Sequence, residues 1–270
     1  MNTQGPVRLA PSLRDKIWGS RNLEPWYTNS DRDIGEIWFL PETELPLLVK
    51  LIYTSAKLSV QVHPDDADGE PGKTEMWYVL HAEPGAQLAM GFREPVSRER
   101  LKEAALSGEI EDLLRWFPVH AGEAYFAPAR TVHALGGGLV LCEIQQNCDT
   151  TYRLYDYGRR RPLHIDRACE IADLGTHPGV SVPVPLYGRE QSLVRCPYFA
   201  TESVWVCGET PYAGFPDRFH LLIVVEGSGH LAGQPFSRGE VWLVPAGTPE
   251  FPIRPAAAAH FLRTYVPARE

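Results

Sequence analysis

The chain has 270 residues, enough for one large domain or two compact ones with buried cores. Lysine and arginine total 26 against 34 for aspartate and glutamate, giving a formal net charge of −8. This balance argues against a general partner of nucleic acid or anionic membranes, although a local basic pocket could still hold a small phosphorylated ligand. Glycine (23) and proline (24) are frequent, yet 44% of the residues are hydrophobic. We therefore expect many turns and a mainly β fold, not disorder.

The five cysteines, at positions 142, 148, 169, 196 and 207, include no C-x-x-C pair. Their odd number favours a reducing compartment over a disulfide framework or a structural zinc cluster. Residues Met1–Lys16 lack the apolar core of a signal peptide, and no apolar run approaches the ~20 residues that span a bilayer. We therefore expect a cytoplasmic protein with no membrane partner, and the oligomeric state stays open.

Short β-favouring runs recur between glycine and proline residues, and we predict a strand for each. The predicted strands are Glu36–Leu40, Leu47–Tyr53, Leu58–His63, Glu75–Leu80, Ala124–Ala127, Leu139–Gln146, Phe199–Val206, Leu221–Glu226 and Val241–Val244. Two segments are instead typical of helices. Ser97–Phe117 has a capping serine at its start and a break at Gly108, and Leu163–Ala172 has apolar residues spaced three apart.

The two halves of the chain contain an internal repeat. Gly122–His133 aligns without gaps with Gly239–Glu250, each with a turn glycine, a β run and a prolyl turn. This pattern resembles the second half-motif of cupin barrels, and its repetition predicts two cupin-like (jelly-roll) β-barrels. The predicted organisation is an N-terminal catalytic metal-binding domain at 1–172, a helical insertion at about 97–117, a proline-rich linker at 173–191 and a degenerate C-terminal domain at 192–270.

Polar residues alternate with apolar ones along the predicted strand Leu58–His63. Ser59, Gln61 and His63 share one face, which is costly inside a barrel unless these groups bind something. Glu75 lies twelve positions after His63. In an extended chain its side chain shares a face with those of Lys73 and Trp77.

The cupin half-motifs supply a histidine and a glutamate, and then a second histidine. The matching residues here are His63, Glu75 and His133, with Gln61 as a possible oxygen donor. Two imidazoles and a carboxylate with an open position suit catalytic zinc, one ion per chain, although another divalent metal is chemically possible.

Four longer segments narrow the prediction to one family. They are Leu58–Asp66 (LSVQVHPDD), Gly72–Tyr78 (GKTEMWY), Thr131–Gly136 (TVHALG) and Glu143–Arg159 (EIQQNCDTTYRLYDYGR). These segments resemble the type I phosphomannose isomerases, zinc-dependent cupin enzymes that interconvert mannose 6-phosphate and fructose 6-phosphate. The resemblance implies a small sugar phosphate as the substrate.

The resemblance also implies individual roles. His63, Glu75 and His133 match the metal ligands, and Gln61 is a further ligand in some members. Arg153 matches the active-site arginine and Lys73 a lysine beside the metal, while Ser59 and Arg159 match positions that hold the substrate phosphate. The reaction passes through a cis-enediol, and either Lys73 or a metal-bound hydroxide could be its base.

Some features depart from the family pattern. The stretches Trp38–Leu47 and Asp66–Gly72 are short, and Arg130 replaces a turn glycine that the second repeat keeps as Gly247. An isomerase of a different or unphosphorylated sugar is therefore an alternative within the same enzyme class. A non-catalytic cupin that binds a sugar phosphate as a sensor is another alternative, which the joint presence of Lys73, Glu75 and Arg153 disfavours.

The second repeat is expected to lack the metal. Glu250 occupies the place of His133, and the run Leu221–Val225 is apolar where Glu75 and Trp77 would sit. A lone carboxylate does not make a three-ligand site. We therefore expect the second barrel to be metal-free and to support the first.

Overall fold

A computed structural model describes residues 5–268, so residues 1–4 and 269–270, at the outer ends of the two predicted domains, lie outside the described residues. The strands up to position 155 are β1 Val7–Arg8, β2 Pro11–Ser20, β3 Ile34–Phe39, β4 Leu47–Thr54, β5 Val60–Val62, β6 Glu75–Ala82, β7 Gln87–Phe92, β8 Leu114–Pro118, β9 Ala124–Ala127, β10 His133–Leu135, β11 Leu139–Gln146 and β12 Tyr152–Tyr155. Those that follow are β13 Val184–Pro185, β14 Glu190–Arg195, β15 Ala200–Val206, β16 Thr210–Tyr212, β17 His220–Glu226, β18 Ser228–Leu231, β19 Gln234–Ser237, β20 Val241–Val244, β21 Phe251–Pro255 and β22 Ala259–Tyr265.

The strands form two pairs of sheets. In the first pair, a six-stranded sheet has the order β2-β3-β4-β11-β6-β9 and a five-stranded sheet the order β12-β5-β10-β7-β8. In the second pair, a seven-stranded sheet has the order β1-β20-β17-β22-β15-β14-β13 and a four-stranded sheet the order β16-β21-β18-β19. The mainly β prediction is confirmed.

The central strands of the six-stranded sheet, such as β4 and β11, are buried on both faces. One face packs toward the five-stranded sheet through residues such as Trp77 and Leu141. The opposite face shares one hydrophobic cluster with the seven-stranded sheet, in which Val49 and Leu51 join Ile223 and Leu262. This double burial explains why the β4 sequence is a nearly continuous apolar run, since such strands do not alternate with solvent.

Three helices, α1 Arg98–Ser107, α2 Ile110–Leu113 and α3 Ile165–Ile171, pack in a hydrophobic cluster with strands of the five-stranded sheet. The Ser97 side chain accepts a hydrogen bond from the Arg100 amide, and Gly108 ends α1 in the left-handed conformation, as the sequence predicts. The helix prediction is wrong for 114–117, because this segment pairs as β8 with β7. No helix within residues 5–268 is long and apolar enough to cross a membrane.

The N-terminal segment pairs with the C-terminal half of the chain. β1 is an edge strand of the seven-stranded sheet, where Val7 lies opposite Leu243 and Arg8 opposite Trp242. Arg8 also pairs with Glu240 at 3.0 Å. The second pair of sheets is therefore completed by residues from the start of the chain.

The segment predicted as a linker, 173–191, forms backbone pairs with both pairs of sheets. Its first part makes isolated bridges to the first pair of sheets, including Asp173 with Thr131 and Val180 with Tyr125. Its last part forms β13, which pairs with β14. The chain thus passes between the two pairs of sheets while hydrogen-bonded to each in turn.

Arg130 occupies a left-handed turn just before β10. Its φ is 70°, close to the 68° of Gly247 at the matching turn of the second repeat. The Arg130 amide donates to the His63 carbonyl oxygen at 2.8 Å, and its guanidinium pairs with Asp68. The arginine therefore adopts the turn that glycine adopts in the repeat, and its ion pair holds it there.

The Arg130→Gly variant is expected to be more stable against unfolding than the Arg130→Ala variant. Arg130→Gly and Arg130→Ala lose the same ion pair with Asp68, but only alanine keeps the steric cost of the left-handed backbone. Urea unfolding should show Arg130→Gly more stable than Arg130→Ala by about 1 kcal/mol. Equal stabilities would mean that the turn carries no such strain.

Candidate active site

Three potential metal ligands meet at one end of the space between the six-stranded and five-stranded sheets. Glu75 begins β6, His133 begins β10, and His63 directly follows β5. Their ligand atoms all lie within 4.8 Å of one another. Glu75 Oε1 is 3.5 Å from His63 Nε2 and 3.3 Å from His133 Nε2. These are the three residues that the sequence predicts as ligands.

The surroundings of the cluster suit a metal ion. His63 Nδ1 donates to the Thr150 carbonyl oxygen at 2.8 Å, and His133 Nδ1 donates to that of Thr131 at 2.9 Å. Since carbonyl oxygens only accept, both Nε2 atoms carry a lone pair directed at the cluster in the neutral rings. Oε1 of the buried Glu75 carboxylate, the oxygen nearest both Nε2 atoms, lacks a hydrogen-bond partner within residues 5–268. A cation would satisfy this donor set.

Lys73 and Gln61 border the ligand cluster. Lys73 Nζ lies 3.0 Å from Glu75 Oε2 and 3.1 Å from His63 Nε2. The Gln61 amide nitrogen is 3.2 Å from His133 Nε2, while its oxygen accepts a hydrogen bond from Ser59 Oγ at 3.0 Å. The amide nitrogen of Gln61, and not the oxygen expected of a ligand, therefore faces the cluster.

Burial and charge shift the protonation equilibria of this cluster. Burial opposes ionisation of Glu75, but Lys73 and then His63 hold the pKa of its carboxyl well below its usual range. Burial alone would lower the pKa of Lys73, but Glu75 and Glu143 raise it above its ordinary value. Burial lowers the pKa of His133 to about 4 against the opposing charge of Glu75. These directions favour a neutral imidazole at His133 beside an ionised carboxylate.

Arg153 and Ser59 line the cavity that His133 of the ligand cluster also lines, and Arg159 does not. Arg153 lies opposite Gln61 across β12 and β5, and its buried Nε has no hydrogen-bond partner within the described residues. Arg159 Nη1 instead donates to the Lys57 carbonyl oxygen at 2.7 Å. The predicted phosphate contacts are thus placed differently, with Ser59 inside the cavity and Arg159 outside its lining.

The cavity also contains buried charges for which the sequence analysis predicts no role. Lys50 Nζ pairs with Glu143 Oε1 at 3.2 Å, and Trp77 Nε1 donates to the other Glu143 oxygen at 2.9 Å. Lys50 and Glu143 are almost fully buried. Lys50 is the one charged residue in the apolar strand β4. This pattern could have predicted the ion pair from the sequence, because a charged residue is rarely buried unless it is paired.

The second pair of sheets has a histidine where the first has Glu75. Glu75 lies opposite Ala127 on β9, and His220 lies opposite Val244, the repeat equivalent of Ala127, on β20. The expectation of an apolar residue at the Glu75 position is therefore wrong, because the predicted run begins one residue after His220. At the position equivalent to Trp77, the second pair of sheets does have an apolar residue, Leu222. His220 is buried, and its Nε2 lies 2.7 Å from the Tyr212 hydroxyl.

Metal is expected in the first pair of sheets alone. Among residues 5–268, the one group of three potential ligands that surrounds a common point is His63, Glu75 and His133, and Glu250 is exposed. Elemental analysis should find one metal ion per chain, and Glu250→Ala should leave metal content and activity intact. Glu75→Ala, as the matched carboxylate control, should lose the ion. Two ions per chain, or loss of metal from Glu250→Ala, would contradict the prediction.

Comparison with known proteins identifies relatives for most of the chain, although no model of a known family matches it. Mannose-6-phosphate isomerase of Streptococcus mutans is 34% identical over an alignment of 276 positions, gaps included, that covers 84% of this chain and 86% of that protein. Mannose-6-phosphate isomerase ManA of Bacillus subtilis is 29% identical, over 93% of this chain and 96% of that protein.

A solved structure supports the same relationship. The crystal structure of the mannose 6-phosphate isomerase from Bacillus subtilis matches with a TM-score of 0.86 and 28% identity, over 97% of this chain and 99% of that one. This match confirms the predicted cupin-type fold. Together with the identity to the Streptococcus protein over most of both chains, it confirms the resemblance carried by the sequence motifs. The chain belongs to the mannose-6-phosphate isomerase family.

Proposed function

We propose that this chain interconverts mannose 6-phosphate and fructose 6-phosphate at the site around His63, Glu75 and His133. The observation that carries the proposal is the placement of this ligand cluster beside a cavity lined by His133, Lys73 and Arg153. The same residue types occur at these positions in the motifs that the chain shares with the family. We assign catalysis to residues 1–172, because this region contains all five residues.

Zinc is the metal we propose for this site. His63, Glu75 and His133 would hold it, and Gln61 lies close enough to His133 to contribute after its amide turns. When bound, the ion supplies a Lewis acid that polarises a carbonyl and stabilises negative charge on oxygen. The buried Oε1 of Glu75, which lacks a hydrogen-bond partner within the described residues and lies within 3.5 Å of both Nε2 atoms, is the observation in favour of a cation here.

The side chains around the cluster suit proton transfer between C1 and C2 of a sugar. Removing the proton beside the carbonyl gives an enediolate, whose negative oxygens need nearby positive charge. Lys73 Nζ is held at the edge of the ligand cluster by Glu75, and Arg153 lies across Gln61 from it. Both cations therefore border the position where the reacting carbons would lie. Ser59 and Arg159 remain the residues that the family resemblance predicts for the phosphate.

A sensor that binds a sugar phosphate without catalysis is disfavoured. Binding alone needs cations for the phosphate, but it does not need a lysine within 3.1 Å of two metal ligands. The identity to relatives named as isomerases extends over most of the chain.

A coupled assay tests the proposed function. Mannose 6-phosphate is supplied, fructose 6-phosphate is detected with auxiliary enzymes, and parallel samples are treated with a chelator and then with zinc. We expect turnover that the chelator abolishes and zinc restores, because the ligand cluster holds the catalytic ion. Fructose 6-phosphate formation that survives complete metal removal would contradict the zinc proposal. Absence of turnover in zinc-loaded protein would contradict the isomerase proposal.

A further inference from the structure

The cavity beside the ligand cluster has an arginine that the family resemblance does not assign. Five cations line the cavity: Lys16, Lys50, Lys73, Arg153 and Arg161. Each lysine has its own carboxylate within 3.2 Å, Glu36 for Lys16, Glu143 for Lys50 and Glu75 for Lys73. Arg153 has no carboxylate within 4.0 Å in the described residues, and Arg161 shares a single carboxylate, Asp156, with Arg159. The positive charge in excess of the nearby carboxylates therefore lies at the arginines.

Arg161 is oriented by a buried carboxylate. Its Nε and Nη2 donate to the two oxygens of Asp156 at 2.7 and 2.6 Å. A guanidinium carries five N–H groups, so this fork leaves three of them free within the described residues, including both on Nη1. Asp156 is 2% exposed and thereby fixes the plane of the guanidinium. A planar edge of free N–H groups is the geometry that binds phosphate with two parallel hydrogen bonds.

Arg153 and Arg161 are connected to the ligand cluster in different ways. Arg153 is opposite Gln61 in the sheet, and Gln61 contacts His133, so Arg153 is adjacent to the metal end of the cavity. Arg161 follows β12 by six residues and is connected to the sheet region through Asp156. Arg153 has no carboxylate within 4.0 Å in the described residues, and the positive charge of Arg161, after burial, lowers its pKa. Because Arg159 and Arg161 share one carboxylate and Arg153 has none within this distance, positive charge is in excess around these guanidiniums in an otherwise acidic chain.

We propose that Arg161 binds the phosphate of the substrate, with Asp156 as the residue that positions its guanidinium. This inference rests on the proposed function, in which the carbonyl end of the sugar lies at His63, Glu75 and His133 and the phosphate at the opposite end of the six-carbon chain. Arg159 shares Asp156 through a longer contact of 3.4 Å, but its Nη1 also donates to the Lys57 carbonyl oxygen. Arg161 is the arginine of this pair that lines the cavity.

Binding of a sugar phosphate that cannot isomerise tests this proposal without relying on turnover. Mannitol 6-phosphate, which has no carbonyl, is titrated calorimetrically into zinc-loaded wild type, Arg161→Ala and Arg161→Gln. We expect both variants to bind it at least tenfold more weakly, because the fixed cation is lost. Arg161→Gln retains a donor for Asp156, so it separates loss of charge from misfolding. Exposed Arg160, the neighbour of Arg161, provides the matched control, and Arg160→Ala should bind within twofold of wild type.

Steady-state kinetics add a second readout. With mannose 6-phosphate, Arg161→Gln should raise KM at least tenfold and lower kcat less than threefold, because the phosphate lies away from the reacting carbons. Unchanged mannitol 6-phosphate affinity in both Arg161 variants would overturn the proposal. So would loss of affinity in Arg159→Ala together with normal affinity in Arg161→Gln. If wild type binds mannitol 6-phosphate through Arg161 but does not turn over mannose 6-phosphate, the proposed function fails and the phosphate subsite stands.

Discussion

His133→Ala is expected to lose both the bound metal and all measurable isomerase activity. His133 supplies one of three protein ligands, and the remaining pair, His63 and Glu75, rarely holds zinc tightly on its own. The variant should therefore purify with almost no zinc by elemental analysis, and its turnover of mannose 6-phosphate should fall to background.

The control for this experiment is a histidine outside the cluster. His120 is exposed and pairs with Glu123, so His120→Ala should keep both zinc and activity. Thermal unfolding of the metal-stripped proteins shows whether His133→Ala still folds. A metal-free His133→Ala variant with full activity would exclude the proposed ligand set.

Arg153→Ala is expected to lower turnover by roughly 10²–10³-fold, by analogy with the removal of one oxyanion-stabilising donor. The Arg153 guanidinium is half-buried beside Gln61 and lacks a carboxylate partner among the described residues, so its charge is available for the enediolate. Zinc content and folding should barely change, because Arg153 contacts none of the three ligands directly. The measurement is kcat for mannose 6-phosphate, with elemental analysis and thermal unfolding in parallel.

Arg153→Lys refines this prediction. It keeps a positive charge and should recover part of the lost turnover, whereas a purely structural role would not depend on charge. Turnover near wild type in Arg153→Ala, or unfolding of that variant, would assign Arg153 to the scaffold. The Arg153 amide already donates to His164 Nδ1 at 3.2 Å, and this backbone contact survives the substitution.

The sequence predicted the strands that carry the site better than the groups that surround it. β9, β11 and β20 have the predicted bounds, because each is a β-favouring run with turn residues at its ends. The ligand cluster was also predictable, since the resemblance to the cupin half-motifs selects His63, Glu75 and His133, and strand alternation puts His63 on the polar face of its strand. Their side chains meet in the structure as those patterns require.

The other parts depend on pairing between distant strands, which local patterns do not determine. His220 precedes an apolar run and matches Glu75 only through its register with β20. Lys50 and Glu143 are far apart in sequence, and their ion pair requires β4 and β11 to be neighbours. Arg159 and Arg161 are two residues apart, and only the turn around Asp156 determines which one lines the cavity.

The position of β1 has a consequence for the order of events during synthesis. Arg8 and Glu240 are 232 positions apart, so the first strand leaves the ribosome long before its partner exists. Trp26 and Tyr27 likewise donate hydrogen bonds to the carbonyl oxygens of Val225 and Gly239, which are synthesised about 200 residues later. Until then the apolar outer face of the six-stranded sheet has no cover, and closing so long a loop is slow. The nascent N-terminal half is thus open to aggregation or chaperone capture until the last strands are made.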